Sequence, residues 1–115
     1  MREINTHSRL LRVQGVESTT NPYMLCAHLD VVPPGGESGD WTNDPFEAGI
    51  VLEQEGNEDV EFIFGRGAVD DKHSVMGILE ALNARIEAGD RPKRTLYLAF
   101  GHDEEVSGHQ GKIKI

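Results

Sequence analysis

The sequence predicts an α/β fold. Three observations carry that reading. Short apolar runs of strand length are separated by turn residues, one longer segment repeats apolar residues at helical spacing, and a further strand-like run follows that segment directly. The strand, helix, strand succession over residues 60–100 favours a right-handed parallel crossover. The expected architecture is a mixed, largely parallel sheet with a flanking helix.

Taken in order, residues 9–16 (RLLRVQGV) read as a short strand, and residues 17–22 as a polar turn. Residues 23–27 form a second strand that runs into His28-Leu29-Asp30. A loop rich in Gly, Pro and Asp fills residues 33–45. Residues 48–53 and 60–64 read as two strands joined as a hairpin through the polar turn 55–59. Residues 71–88 are the best helix: Val75, Ile78, Leu79, Leu82 and Ile86 make one apolar stripe, with Glu80, Arg85 and Glu87 mostly off it. Asp71 is placed to cap its start, and Gly89 and Pro92 stop its end. Residues 95–100 form the last strand. Leu96, Leu98 and Phe100 face one way and Tyr97 and Ala99 the other, which predicts a central strand covered on both sides.

Composition bounds the function. The 115 residues make room for one domain, and 37% apolar residues with 13 glycines is an ordinary globular content. Twenty acids against 11 bases give a formal charge of -9, which repels phosphate backbones and argues against a nucleic-acid partner. The lone cysteine, Cys26, excludes an internal disulfide and a multi-cysteine zinc site, and reads as a small core residue. No apolar run approaches the roughly 20 residues of a membrane span. The segment MREINTHSRL has no apolar stretch of the signal-peptide kind.

The chemistry is positional. Three strand-like runs each end in proton-transfer or metal-type residues: His28-Leu29-Asp30, then Gly65-Arg66-Gly67 through Asp70-Asp71-Lys72, then His102-Asp103-Glu104-Glu105. Sites in open α/β sheets form beyond the carboxyl ends of strands. One imidazole with several carboxylates and no thiolate suits zinc, or less selectively manganese or cobalt, and a carboxylate-rich set also suits two cations with a bridging carboxylate. Each cluster has a plainer reading beside this one. His28 can be an ordinary strand-end histidine, with Asp30 a turn residue. Asp71 can be a helix cap. Residues 103–105 can be a solvated acidic loop, or one Glu can bind metal while its neighbour serves as general base. Trp41 reads as a loop-packing anchor rather than a substrate platform. Gly65-Arg66-Gly67 lacks the lysine and hydroxyl pattern of a phosphate loop.

Together these residues are similar to a known pattern. His28-Leu29-Asp30-Val31-Val32-Pro33 resembles the first signature of the M20 family of metallopeptidases and amidohydrolases. Trp41 with Asp44-Pro45-Phe46 resembles the family's loop. Gly65-Arg66-Gly67 through Asp70-Asp71-Lys72 resembles the second signature, and Asp103-Glu104-Glu105 with Gly108 the third. The segments Val31-Val32-Pro33-Pro34 and Gly108-His109-Gln110-Gly111 look closest to the carboxypeptidase S-like branch. The resemblance implies a two-zinc hydrolase of peptide or N-acyl amino acid amide bonds. His28 would bind one zinc, Glu105 the other, and Asp70 would bridge them, with an unusual cis peptide to Asp71. Glu104 would be the general base and Asp30 would orient His28.

Family members are several hundred residues long and supply a further acidic ligand and a further histidine from later regions. Against that pattern, residues 1–115 read as the N-terminal part of a catalytic domain, cut short and without the smaller lid or dimerisation domain. The tail 112–115 does not continue the family's helix. Each zinc would keep two protein ligands here, so weak metal binding and little or no hydrolysis by this chain alone are expected. The resemblance also implies a full-length homodimer and a secreted setting. Two readings from other classes stay open: a non-catalytic truncated product, and an acidic cation-binding module without chemistry.

Overall fold

In a computed structural model of the chain, residues 1–17, 19–35 and 41–114 are described. Ser18, residues 36–40 of the predicted loop and Ile115 of the tail lie outside the described residues. The chain forms strands β1 (Arg2–Ile4), β2 (Ser8–Val13), β3 (Tyr23–His28), β4 (Gly49–Glu55) and β5 (Glu58–Phe64), then helix α1 (His73–Glu87) and strand β6 (Leu96–Gly101). Four strands make one sheet in the order β1-β2-β6-β3, while among the described residues β4 and β5 pair only with each other.

The sheet is mixed, as expected, but parallel pairing is confined to β3 with β6; β1–β2 and β2–β6 are antiparallel. The predicted parallel crossover from residues 60–64 to 95–100 does not form. Those two strands lie in different sheets, and the parallel partner of β6 is β3. The hairpin closes on itself because Gly56, at φ 70°, permits a tight turn directly after Glu55, which pairs with Glu58. The short β1, which hairpins onto β2, is not among the predicted strands.

β6 is central, as its double apolar pattern suggested. Leu98 is fully buried, and with Ala27, Leu96, Phe100 and Val75 of α1 it forms the core, flanked by Leu11, Val13, Tyr23, Ile78 and Leu82. This is the face that the helix covers. The predicted cover on the opposite face is only partial among the described residues: Gly111 packs against the buried Ser8 at one end. Ala99 is buried there, but its neighbours Met24 (51% exposed) and Cys26 are open. Cys26 is therefore not a core residue. By strand alternation it stands on the same face as Met24, away from the helix.

The helix begins later than predicted. Residues 68–72 form an irregular turn in which Asp70 and Asp71 leave helical geometry, and no side chain caps α1. Asp71 is thus not the cap. At the other end the N–H of Gly89, at φ 67°, bonds to the Ile86 carbonyl, which closes the helix as expected.

Candidate metal centre

β3 and β6 run side by side with His28 opposite Gly101, so the segments after both strands emerge together. The third segment arrives by another route. It leaves the separate hairpin and crosses over as the loop 65–72. Backbone bonds from Arg66 N to Pro45 O (2.7 Å) and Lys72 N to Gly67 O (3.0 Å) shape this loop, and the Lys72 Nζ bond to Leu29 O (2.9 Å) ties it to the end of β3. Gly67 is required: its φ is 79°, and a Cβ there would lie 2.5 Å from Val31 Cγ1. The Asp70–Asp71 peptide bond is cis, as the resemblance implied.

The result is one cluster. His28, Asp70 and Glu105 each bring a ligand atom to a common place, all within 4.8 Å of one another. His28 is buried; its Nε2 stands 2.9 Å from Asp70 Oδ1 and 4.0 Å from Glu104 Oε2, and its Nδ1 stands 3.0 Å from the Asp30 carbonyl. Burial alone pushes the His28 pKa down. The Asp70 hydrogen bond, the Asp30 carbonyl and the charges of Asp30 and Asp70 outweigh it, so the pKa lies above its ordinary value. Both ring nitrogens face oxygen acceptors, an arrangement that the doubly protonated ring satisfies.

Asp30 does more than face the histidine. Its Oδ1 is 3.5 Å from Nδ1, but its carboxylate accepts the backbone N–H groups of Glu104 (3.1 Å) and Glu105 (3.0 Å). It thereby ties the end of β3 to the segment after β6. Asp71, read from sequence as a cap, turns back instead: its Oδ2 accepts the His28 N–H at 3.2 Å. Its burial pushes its pKa up, but hydrogen bonds from Ser74 and His28 and the charges of His28 and His73 hold it below the ordinary value. The sequence signal for this second role was the unbroken pair of acids, since one helix start needs only one cap. Trp41 is a packing anchor, as expected: Nε1 donates to Pro34 O (2.8 Å), the ring meets Phe64 edge-on, and the Arg66 guanidinium lies 4.8 Å from its centroid.

The family model of peptidase family M20/M25/M40 matches residues 24–115. The chain belongs to this family. Its M20 relatives include N-fatty-acyl-amino acid synthase/hydrolase PM20D1.1 of Danio rerio, which is 46% identical over 112 residues. PM20D1 of Mus musculus is 47% identical over 109 residues, and probable carboxypeptidase S-like 2 of Dictyostelium discoideum is 38% identical over 112. These alignments cover 97%, 95% and 97% of this chain but 20% of each relative, so the chain spans about a fifth of the length of these M20 proteins. No helix among the described residues is long and apolar enough to cross a membrane.

Proposed function

We propose that the chain carries part of the cation-binding core of a zinc-dependent amide hydrolase that acts on peptides or N-acyl amino acids. The observation that carries this reading is the convergence of His28, Asp70 and Glu105 within 4.8 Å. The donor set fits a divalent cation: one imidazole nitrogen and two carboxylates carry excess negative charge in a small space. His28 and Asp70 would hold one zinc, and Asp70 and Glu105 the other. Zinc held there would supply a lowered pKa for water and a polarised carbonyl.

The chain's own groups do the rest. The Asp30 carbonyl accepts a hydrogen bond from His28 Nδ1–H and so fixes the ring with Nε2 toward Asp70. The Asp30 carboxylate holds the backbone of Glu104 and Glu105 beside them. Glu104, whose carboxylate is 4.0 Å from His28 Nε2, is the general base: it takes a proton from water and returns it to the leaving amine.

Two residues per cation fall short of the three that a catalytic zinc usually has. Zinc binding is therefore expected to be micromolar or weaker. Calorimetric titration of the chain with zinc, beside His28→Ala and Glu105→Gln, tests the reading. Loss of binding in both variants supports it; wild-type binding by either one removes that residue as a ligand and the reading with it.

A further inference from the structure

Glu104 and Glu105 sit on a single 3-10 turn, Glu104–Val106, that is too short to fix its own orientation. From one side, Asp30 holds its N–H groups. On the other side the structure shows a second aspartate at work. Asp103 is 7% exposed, and its backbone carbonyl accepts the N–H of Gly108 at 2.7 Å and of Val106 at 3.3 Å. Its carboxylate Oδ2 accepts the N–H of Gln110 at 2.5 Å and of Gly111 at 3.0 Å. One residue thus gathers four backbone donors and folds segment 106–111 back onto the turn that carries the glutamates.

The floor of this arrangement comes from β2. Ser8 is fully buried, and its hydroxyl is 2.7 Å from His102 Nδ1. Gly111 is pressed against that pair: a Cβ there would lie 2.5 Å from both Asp103 Oδ1 and Ser8 Oγ and 2.9 Å from His102 Nδ1. The side chain of Asn5, from the β1–β2 turn, donates to the Gln110 carbonyl and adds a contact from the same hairpin.

We infer that Asp103 is a positioning residue for the cation site: by gathering segment 106–111 against Ser8 and His102, it sets where the Glu104 and Glu105 carboxylates stand. The inference rests on the proposed role of Glu105 as a ligand, so its test separates the two. Co2+ is titrated into the chain and into Asp103→Ala, Asp103→Asn and Glu105→Gln, with the visible absorption band recorded, and amide exchange is followed by NMR.

Removing a residue that supports a metal ligand typically weakens binding roughly 10- to 100-fold, and Asp103→Ala is expected to fall in that range. Its cobalt band should shift, and the Gln110 and Gly111 amides should exchange faster. Asp103→Asn keeps an oxygen acceptor and should recover most of the affinity. If Glu105→Gln binds cobalt as the wild type does, the cation reading has failed and the inference falls with it. If Glu105→Gln is weakened while a folded Asp103→Ala keeps wild-type affinity and spectrum, the positioning role alone is wrong. Should Asp103→Ala not fold, Gly111→Ala replaces it: its Cβ displaces the same carboxylate without deleting it, and unchanged cobalt binding there overturns the inference.

Discussion

His28 joins sequence, electrostatics and binding at the scale of one residue. Its pKa is raised above 6.5, so the stabilisation that it contributes is complete below the unfolded value and is lost as pH rises through the folded one. A cation bound as proposed would compete with the proton on Nε2. Zinc affinity is therefore expected to climb with pH through that window, with proton release that calorimetry detects in buffers of different ionisation heat. Asp71 works in the opposite direction. Its pKa is lowered from 3.8, so its contribution is present above that value and is lost as pH falls through the folded pKa. Asp71→Asn should flatten the acid limb of the stability profile in urea titrations. Glu104→Gln should leave zinc affinity unchanged and lower any amide hydrolysis by about 100-fold or more. Equal hydrolysis by wild type and variant would strip Glu104 of its role.

Between elements, the parallel pairing of β3 with β6 does most of the placing, because it sets His28 beside Gly101 and so beside the two glutamates. Leu98 is the buried centre of that pairing, and Leu98→Ala should cost about 2–5 kcal/mol in denaturant unfolding. This part of the fold was legible from sequence. The alternation in residues 95–100 marks a central strand, and the stripe from Val75 to Ile86 marks its covering helix. The meeting of His28 with Glu105 was legible too, as strand ends that share an edge. The hairpin of residues 48–53 and 60–64 was legible as well, but its separation from the main sheet was not, because alternation shows that a strand exists but not which edge accepts it. Cys26 was misread for a related reason: apolar character on a strand does not tell which face a helix covers. The turn role of Asp103 was hidden because its partners are backbone N–H groups, which every residue type carries.

Over the whole molecule, the radius of gyration is 17.8 Å, against about 13 Å for a compact chain of this length. The smallest dimension is 19 Å, hardly more than a sheet with a helix on one face. The β4–β5 hairpin leaves Ile50, Leu52 and Ile63 between 67% and 80% exposed. The isolated chain should therefore bind an apolar dye such as ANS in its native state, and Ile63→Lys should lower the signal. His28, Asp70 and Glu105 belong to segments far apart in the chain, and only the folded form brings them together. An ion held as proposed, by a pair of residues from two such segments, would gain nothing from the unfolded ensemble. Zinc bound as proposed would then act as a thermostat of folding: at about a hundredfold over its dissociation constant it is expected to add about 2.7 kcal/mol to the native side, a gain that chelation should remove and that a melting curve would register.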